Sequence, residues 1–350
     1  MKNIVNKFFP YSTAASIEPF GKGHINDTYK VDLQQENKSY ILQRINTDVF
    51  KDPFSIAETH VKIQNIVCTG REPFKIAELI PTSDGKNLFA DPETGVWRMT
   101  SYIGGSYTIE VIEHAWQAYE AGKAFGWFVK ICTALDPDDC KESIRDFHRL
   151  SFRLGQLRAA VSDNKANRLT NAKELIDFYR MREDDLLVIE TLVDRGKIPL
   201  RVVHNDTKIN NVLFRDDKAA AVIDLDTVGP GILYYDYGDA VRTIATTAGE
   251  DEPDLKKVTF HIDAFKAFTE GYLKQVGTIL DAAEKELFHK APFLMTYLMG
   301  IRFLTDYLNG DVYYKTYFGD HNIVRSRVQK KLIESMEQHE DVMKEIIGCL

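Results

Sequence analysis

The sequence predicts an α+β protein with two lobes, a small β-rich lobe followed by a larger, mainly helical lobe. Strand-like patterns fill the first hundred residues, helical spacing dominates from residue 111 onward, and a short β-like group interrupts the helices at 200–225. The chain of 350 residues also exceeds the size at which one hydrophobic core usually stops growing. We therefore expect an amino-terminal lobe over residues 1–103 and a carboxy-terminal lobe over 104–350.

The first lobe is predicted to be a sheet with one helix. The segments HINDTYKVDL and SYILQRI read as strands, separated by the polar QQENK. Residues 53–67 carry apolar side chains at helical spacing. KIAELIPT, NLFA and VWRMTSYI complete an antiparallel pattern that ends at Gly104-Gly105.

The second lobe is predicted to be mostly helical. Residues 111–135, 144–161 and 172–193 carry apolar side chains at three-to-four spacing. The β-like group consists of LRVVH, NVLF and AAAVIDL, and helical patterns then return as far as the carboxyl terminus. A bilobal arrangement predicts a ligand cleft between the lobes.

Composition excludes several functional classes. With 44 Lys and Arg against 52 Asp and Glu, the net charge is −8, and no basic block points to nucleic acid or an anionic membrane. No apolar run is long enough to span a bilayer. The four cysteines lack metal-binding spacing and are interpreted as free thiols, so we expect a cytoplasmic protein without an obligate protein partner. They are Cys68, Cys132, Cys140 and Cys349.

The strongest functional signal is HNDTKINN at 204–211, followed by AVIDLD at 221–226. These segments lie on and after a turn between two short strands. Phosphoryl transfer needs one carboxylate to orient the attacking hydroxyl and accept its proton, and oxygen ligands that hold Mg²⁺ on the phosphates. Two aspartates and an asparagine supply these groups here, although Asn and Asp are also common in ordinary polar turns.

These motifs resemble the aminoglycoside phosphotransferase superfamily, whose fold is like that of protein kinases. The family pattern is H-G-D-x-x-x-x-N followed by I-D, and Asn205 replaces the usual glycine here. The resemblance implies that Asp206 is the catalytic base and that Asn211 and Asp224 are Mg²⁺ ligands. It also implies that His204 supports the loop, and YYDYGDAVR, with Asp236, resembles the family's structural aspartate.

Three further segments are candidates for binding ATP. In FGKGHINDTY, Gly21 and Gly23 would let the backbone approach phosphates, although two glycines in a hairpin are usually only a turn. Near Thr100 to Tyr102, the backbone of VWRMTSYIGG would bind adenine, judged by its position between the lobes.

The third ATP-binding candidate is Arg44 in SYILQRI, at the place where kinase-like folds set a phosphate-binding cation. The family usually has lysine there, and strand alternation leaves open whether Gln43 or Arg44 faces the cleft. Glu58 is the candidate carboxylate partner, and a surface glutamate is the alternative.

The acceptor site is predicted from GIRFLTDYLNGDVYYK at 300–315. Arg302 and Asp306 have the spacing of a helix ion pair, and Tyr313 could simply pack. An arginine and aromatic rings beside a cleft also suit a sugar. Together with GKGHIND, HNDTKINNVLF and VIDLDTVGPG, this segment resembles the N-acetylhexosamine 1-kinases over nearly the whole chain.

That resemblance implies a sugar pocket and a reaction. ATP and N-acetylglucosamine or N-acetylgalactosamine would give ADP and the sugar 1-phosphate. The residues implied to line the pocket are His24, Asp206, Asp226, Arg302 and Tyr313. The alternatives are a kinase of another small alcohol, such as choline, homoserine or an aminoglycoside, and a catalytically dead nucleotide-binding regulator.

Overall fold

The computed structural model describes residues 1–21, 25–34, 38–69 and 72–349, and it confirms the bilobal α+β architecture. A six-stranded antiparallel sheet with two helices forms the first lobe, and helices with two small sheets form the second. In chain order, the elements of the first hundred residues are α1 (Lys2–Phe8), β1 (Ala14–Pro19), β2 (Asp27–Leu33), β3 (Lys38–Ile45), α2 (Pro53–Thr69), β4 (Lys75–Ile76), β5 (Leu79–Ile80), β6 (Phe89–Asp91) and β7 (Gly95–Ser101).

Helix α1 was not predicted. It is only seven residues long, and it is held by packing rather than by intrinsic propensity. Ile4, Val5 and Phe8 lie on one side of it and cover an apolar face of the sheet that includes Leu42 and Met99. A short helix of this kind depends on a surface that is distant in sequence.

The sheet has the order β1-β2-β3-β7-β5, with β6 also paired to β7. The register of β3 against β7 sets Gln43 opposite Arg98 and Arg44 opposite Trp97. Because side chains alternate along a strand, Gln43 and Arg44 point to opposite faces. Strand β4 departs from the predicted antiparallel pattern, since Ile76 pairs in parallel with Val222 in the second lobe.

The second lobe is built around helices, most of them buried on at least one side. Among the described residues they are α3 (Ala115–Cys132), α4 (Leu150–Asp163), α5 (Leu169–Arg180), α6 (Glu183–Asp194), α7 (Leu233–Ile244), α8 (Ile262–Val276), α9 (Ala282–Leu287), α10 (Ala291–Asn309), α11 (His321–Glu337) and α12 (Glu340–Gly348). Helix α10 is buried along almost its whole length and packs against α4, α7 and α11. Across the described ranges, no helix combines the length and the apolar character that a bilayer crossing requires.

The helix predicted over 172–193 is in fact two helices, α5 and α6. The chain turns at Met181 and Arg182, where no glycine or proline marks a break. The hydroxyl of Tyr297 donates to the carbonyl oxygen of Tyr179 at 2.8 Å, and the amide of Arg182 donates to the same oxygen at 3.1 Å. This tertiary contact occupies a carbonyl near the end of α5, and local sequence cannot reveal it.

The β-like group at 200–225 forms the strands that carry the site. They are β8 (Arg201–Val203), β9 (Val212–Arg215) and β10 (Lys218–Val222), and β11 (Gly229–Gly231) follows. β9 and β10 form a hairpin extended by β4, whereas β11 pairs with β8. The segment 204–211 lies between β8 and β9, and residues 223–228 follow β10.

Candidate active site

The loop over residues 204–211 is fastened to helix α7 by one buried carboxylate. The backbone amides of His204 and Asn205 donate to the two oxygens of Asp236 at 2.8 and 2.7 Å, and the Thr207 hydroxyl donates to the Asp236 carbonyl at 2.6 Å. Asp236 is fully buried, and this burial raises its pKa to about 6. These contacts give Asp236 the structural position that the sequence resemblance implied.

Asn205 adopts a left-handed backbone with φ of 63°. Glycine takes this conformation without strain, and asparagine is one of the few other residues that tolerate it. Its side chain donates to the Thr227 carbonyl at 3.1 Å, and its own carbonyl accepts from His148 at 2.8 Å. The replacement of the usual glycine is therefore compatible with the loop conformation.

Asp206 lies at the centre of the loop, with partners on both carboxylate oxygens. Lys208 Nζ is 2.8 Å from Oδ1, and the Asn211 amide nitrogen is 3.2 Å from Oδ2 and 2.8 Å from the Asp206 carbonyl. Burial alone would raise the pKa of Asp206, but the Lys208 ammonium outweighs it and holds the pKa below its usual value. Asp206 is thus an oriented, ionised carboxylate.

Asp224 lies next to this loop because β9 and β10 are paired. The Ile223 amide donates to the Asn211 carbonyl at 2.9 Å, which brings Asn211 beside Asp224. Asp224 is exposed to solvent. Even so, the surrounding protein and the carboxylates of Asp226 and Asp206 raise its pKa to about 7. A cation is the group that would stabilise its ionised form.

The residues around Asp224 fit a magnesium ion. The Asn211 amide nitrogen is engaged with Asp206, which leaves the amide oxygen available, and Asp224 offers a carboxylate. In the described part of the chain, no three His, Cys, Asp or Glu side chains form a metal-binding cluster. Mg²⁺ commonly takes only one or two protein ligands and completes its shell with phosphates and water.

Asp226 has a position different from the one that the sequence implied. It is 2% exposed and forms a two-pronged ion pair with Arg98 of β7, with Nη2 at 2.9 Å from Oδ2. The Asn26 amide also donates to it at 2.7 Å. Its oxygens are therefore engaged with the first lobe, and this geometry argues against a sugar contact.

Gln43, and not Arg44, is the residue of β3 that faces Arg98. The Gln43 amide oxygen accepts from Arg98 Nε at 2.8 Å. Arg44 lies on the other face, half-exposed, and its Nε donates to Asp27 at 2.8 Å. This placement contradicts the prediction that Arg44 is the phosphate-binding cation. Glu58 of α2 is exposed, as in the surface alternative.

The segments predicted to bind the nucleotide are only partly described. Gly21 has φ of 78°, and a Cβ atom on it would meet no atom of the described residues within 4 Å, whereas Gly23 and His24 lie outside those residues. The Thr100 side chain is buried in β7, and the amide of Tyr102 already donates to Ser39 at 3.3 Å. Contacts from this segment to adenine, and from Gly21 to phosphate, stay predictions.

Arg302 is a buried cation without a carboxylate partner among the described residues. It is 9% exposed, its guanidinium carbon lies 4.8 Å from the centre of the Phe147 ring, and a contact to the Met299 sulfur is its hydrogen bond. Asp306 does not pair with it. Instead, the Asp306 carboxylate accepts from the backbone amides of Val312, Tyr313 and Tyr314 and fixes the turn after α10.

The tyrosine that reaches Arg302 is Tyr314. Its ring centre is 5.7 Å from the Arg302 guanidinium, and its buried hydroxyl has no hydrogen-bond partner among the described residues. Tyr313 is 56% exposed and touches Tyr314 edge-on. Arg153 lies close by, and burial together with the Arg302 charge lowers its pKa to about 10. The structure thus brings Tyr314, rather than Tyr313, to this cation.

Sequence reasoning missed two side chains of the site, Lys208 and Arg98. Lys208 stands inside the motif already singled out, two residues after Asp206, so its spacing was a usable signal. Arg98 carries no such local signal, because it meets Asp226 only in the fold. The orientation of Gln43, which the sequence left open, is decided by its contact with Arg98.

The chain resembles known proteins in sequence and in fold. Residues 16–266 match the model of the phosphotransferase enzyme family, known as APH. The chain belongs to this family. Structures of the same fold include the microcompartment-associated aminopropanol kinase, which is 16% identical with a TM-score of 0.60, over 98% of this chain and 97% of that one.

Two other solved structures share the fold, and their names refer to different substrates. Choline kinase from Cryptosporidium parvum Iowa II is 16% identical with a TM-score of 0.59, over 95% of this chain and 92% of that one. The ADP-bound aminoglycoside phosphotransferase APH(2'')-Ib is 14% identical with a TM-score of 0.54, over 95% and 96%. At these identities the likeness establishes the fold, and the substrate must be argued from the site.

Proposed function

We propose that the protein is an ATP- and Mg²⁺-dependent kinase that phosphorylates the C1 hydroxyl of N-acetylglucosamine or N-acetylgalactosamine. The observation that carries phosphoryl transfer is the arrangement around Asp206, whose carboxylate is oriented by Lys208 and Asn211 beside Asp224. Membership of the phosphotransferase family supports the same chemistry. The sugar is supported by the sequence resemblance and by the charge of the acceptor side.

In the proposed reaction, Asp206 orients the acceptor hydroxyl and accepts its proton while the sugar oxygen bonds to the γ-phosphorus. The bond from that phosphorus to the β,γ-bridging oxygen breaks, and ADP leaves with the electron pair. Lys208 Nζ lies 2.8 Å from Asp206 Oδ1. Its positive charge can stabilise the Asp206 carboxylate before the reaction and the transferred phosphoryl group during it. These roles depend on the loop geometry that Asp236 maintains.

Asn211 and Asp224 would hold Mg²⁺ through an amide oxygen and a carboxylate oxygen. When bound, the ion neutralises charge on the β- and γ-phosphates and aligns them for in-line transfer. Binding of the ion would also keep Asp224 ionised near neutral pH, since its pKa in the unliganded protein is about 7.

The acceptor side favours a neutral sugar over a cation. The Arg302 charge helps to lower the pKa of Arg153, so the two cations lie close together and would repel an amine or a quaternary ammonium group there. The nearby carboxylates of Asp239 and Glu250 are already paired with Arg242 at 2.8 and 2.6 Å. Arg302 can donate to the acyl oxygen of an N-acetyl group, and the Phe147 and Tyr314 rings offer apolar surface.

A coupled assay of ADP release across a panel of acceptors tests this proposal. The panel contains N-acetylglucosamine, N-acetylgalactosamine, glucose, choline, 1-amino-2-propanol, homoserine and kanamycin. We expect the two N-acetyl sugars to give the highest kcat/KM, and phosphorus NMR to identify a sugar 1-phosphate. Asp206→Asn should lower kcat by about 10²- to 10⁴-fold while ATP still binds, and exposed Asp216→Asn is the matched control.

Other results would contradict separate parts of the proposal. A 6-phosphate product, or the highest kcat/KM on an amine, overturns the sugar or the position on it and leaves the kinase intact. Wild-type ATP binding without turnover of any acceptor would favour a nucleotide-binding regulator. Near-normal turnover by Asp206→Asn would remove that residue from its role as base.

A further inference from the structure

Arg98 and Asp226 form an ion pair between the lobes that is almost wholly shielded from water. Arg98 comes from β7 of the first lobe, and Asp226 follows Asp224 by two residues. Their side chains are 6% and 3% exposed, and both guanidinium Nη atoms meet the carboxylate. The desolvation of two charges makes such a pair a weak source of net stability, so stability alone does not explain it.

The pair is extended by amide side chains of the first lobe. Asn26, which precedes β2, donates to Asp226 at 2.7 Å and accepts from the Asn46 amide at 2.9 Å. Gln43 accepts from Arg98 at 2.8 Å and donates to the Thr28 hydroxyl at 3.1 Å. Asp226 is therefore attached to β7 directly, to β3 through Gln43, and to the segment before β2.

Helix α2 packs beside this pair and brings no second carboxylate to Arg98. His60 of α2 is buried, and this burial, reinforced by the Arg98 cation, lowers its pKa to about 4, so the ring is neutral at pH 7. Its Nε2 lies 2.7 Å from the Ala77 carbonyl. Glu58, two residues before His60 on the same helix, is exposed. Asp226 is thus the hydrogen-bonded counter-ion of Arg98, whose charge also acts on the nearby Asp224 carboxylate.

Asp224 depends on its neighbours for its conformation. Its φ and ψ are 63° and 61°, a left-handed backbone that costs free energy in a residue other than glycine. No side-chain hydrogen bond to its carboxylate is present among the described residues. Such a conformation persists only when the surrounding structure holds it. The next two residues are fixed in place, since Leu225 is buried and Asp226 is paired with Arg98.

We propose that Arg98 is a positioning residue for the metal: through Asp226, it holds Asp224 in the conformation that binds Mg²⁺ with ATP. This inference rests on the proposed nucleotide and metal site, but not on the identity of the acceptor. Without the pair, Asp224 relaxes toward an ordinary backbone conformation and its carboxylate leaves the metal position. The affinity of the site for Mg²⁺ then no longer benefits from contacts with the first lobe.

The test removes both charges together, because loss of one partner would leave an unpaired buried charge. We expect Arg98→Met with Asp226→Asn to weaken ATP binding in the presence of Mg²⁺ by about 10- to 100-fold, as outer-shell changes at metal sites typically do. ATP binding without Mg²⁺ should be unchanged. Calorimetric titration of ATP, with and without Mg²⁺, measures both constants independently of turnover.

The matched control is a second buried pair, Arg201 with Glu284, which joins β8 to α9 away from the cleft. It is also two-pronged, with Nη2 at 2.9 Å from Oε2, and its side chains are 15% and 0% exposed. Arg201→Met with Glu284→Gln should alter Tm but leave the Mg²⁺-dependent affinity unchanged. An equal loss in both double variants would mean a general effect of losing a buried pair, and would overturn the proposal.

A milder variant keeps the proposal testable if the Arg98 double variant does not fold. Asn26→Ala removes one hydrogen bond to Asp226 without leaving a charge unpaired, and we expect Mg²⁺-dependent ATP affinity to fall severalfold. Unchanged Mg²⁺ dependence in a folded Arg98 double variant, or in Asn26→Ala when the double variant is unfolded, would refute the role. Wild-type ATP binding that does not depend on Mg²⁺ would refute it as well.

Discussion

Two residues of the candidate active site adopt left-handed backbone conformations, and both are Asx residues. Asn205 and Asp224 each have φ of 63°. Aspartate and asparagine tolerate this region better than other non-glycine residues, because their short polar side chains can bond locally. At Asn205 the conformation turns the loop over residues 204–211, and at Asp224 it accompanies an exposed carboxylate.

The two adjacent tyrosines of the acceptor side provide a residue-scale prediction. Tyr314 packs against Arg302 and Phe303, and its buried hydroxyl lacks a partner in the described part of the chain, whereas Tyr313 is more than half exposed. We expect Tyr314→Phe to raise the KM for the sugar by about tenfold, since loss of one hydrogen bond to a polar ligand costs about 1 kcal/mol or somewhat more. The KM for ATP should not change.

Tyr313→Phe is the matched control, and it should leave both constants near wild type. Steady-state kinetics with each substrate varied in turn decides between the two residues. If Tyr313→Phe raises the KM for the sugar more than Tyr314→Phe does, the original interpretation of Tyr313 as the acceptor residue is restored.

At the scale of elements, helices α3 and α8 approach so closely that glycines are required at the contact. A Cβ atom on Gly271 would lie 2.2 Å from the Tyr119 carbonyl oxygen, and one on Gly122 would lie 2.2 Å from the Phe268 carbonyl oxygen. Both contacts are with backbone atoms, which cannot turn aside as a side chain can. The close packing of these helices supports the core beneath His204, whose ring meets Phe125 and Phe128 of α3.

We therefore predict that Gly271→Ala lowers the free energy of unfolding by about 1–3 kcal/mol or more, since the helices must separate. Gly155→Ala on α4 is the matched control, because its Cβ would meet no atom within 4 Å. There, alanine should stabilise the protein by up to about 1 kcal/mol through its higher helix propensity. Urea denaturation of both variants measures the difference, and equal stabilities would show that α3 and α8 adjust without cost.

At the scale of the whole molecule, pH dependence reflects groups buried in both lobes. Burial lowers the pKa values of His60 and His148 to about 4, with help from Arg98 and Arg302 respectively. Each histidine is protonated in the unfolded chain below about pH 6.5, whereas the folded protein keeps it neutral. The stability that they contribute is therefore complete above that pH and is lost as the pH falls toward 4.

Raised carboxyl pKa values act in the opposite direction. Asp236, at about 6, binds a proton in the folded protein over a range where the unfolded chain does not, so its effect favours the folded state as pH falls. The dependence of wild-type stability on pH combines both effects. A variant that removes one histidine is needed to separate them.

We predict that His60→Gln changes the slope of stability against pH. Relative to wild type, the free energy of unfolding of the variant should improve by about 1.4 kcal/mol for each unit of pH between roughly 6 and 5. Urea denaturation from pH 7.5 to 5 measures this difference, and the value at pH 7.5 gives the packing cost of the substitution alone. A difference that is constant with pH would contradict the assignment of His60 as a buried neutral group.

Much of the fold follows from short-range pattern. Alternating residues in SYILQRI and VWRMTSYI place β3 and β7, and three-to-four spacing places helices such as α3, because side-chain periodicity is a property of the local chain. The motif with Asp206, Asn211 and Asp224 could be found in the same way, since its members lie within 19 consecutive positions and a hairpin joins them.

The remaining features depend on which distant residues meet. The register of the sheet decides that Gln43, and not Arg44, faces Arg98. The packing of the two lobes brings Arg98 to an aspartate 128 positions away. Neither pairing is visible in the local sequence. A cap at Asp306 brings Tyr314 rather than Tyr313 to Arg302. Helix α1 packs on a face of the sheet, and at the α5–α6 break the Tyr297 hydroxyl donates to the Tyr179 carbonyl, so both features involve residues that are distant in sequence. Local sequence preferences therefore predict elements and motifs, whereas burial and hydrogen bonding in the folded chain determine which side chains meet.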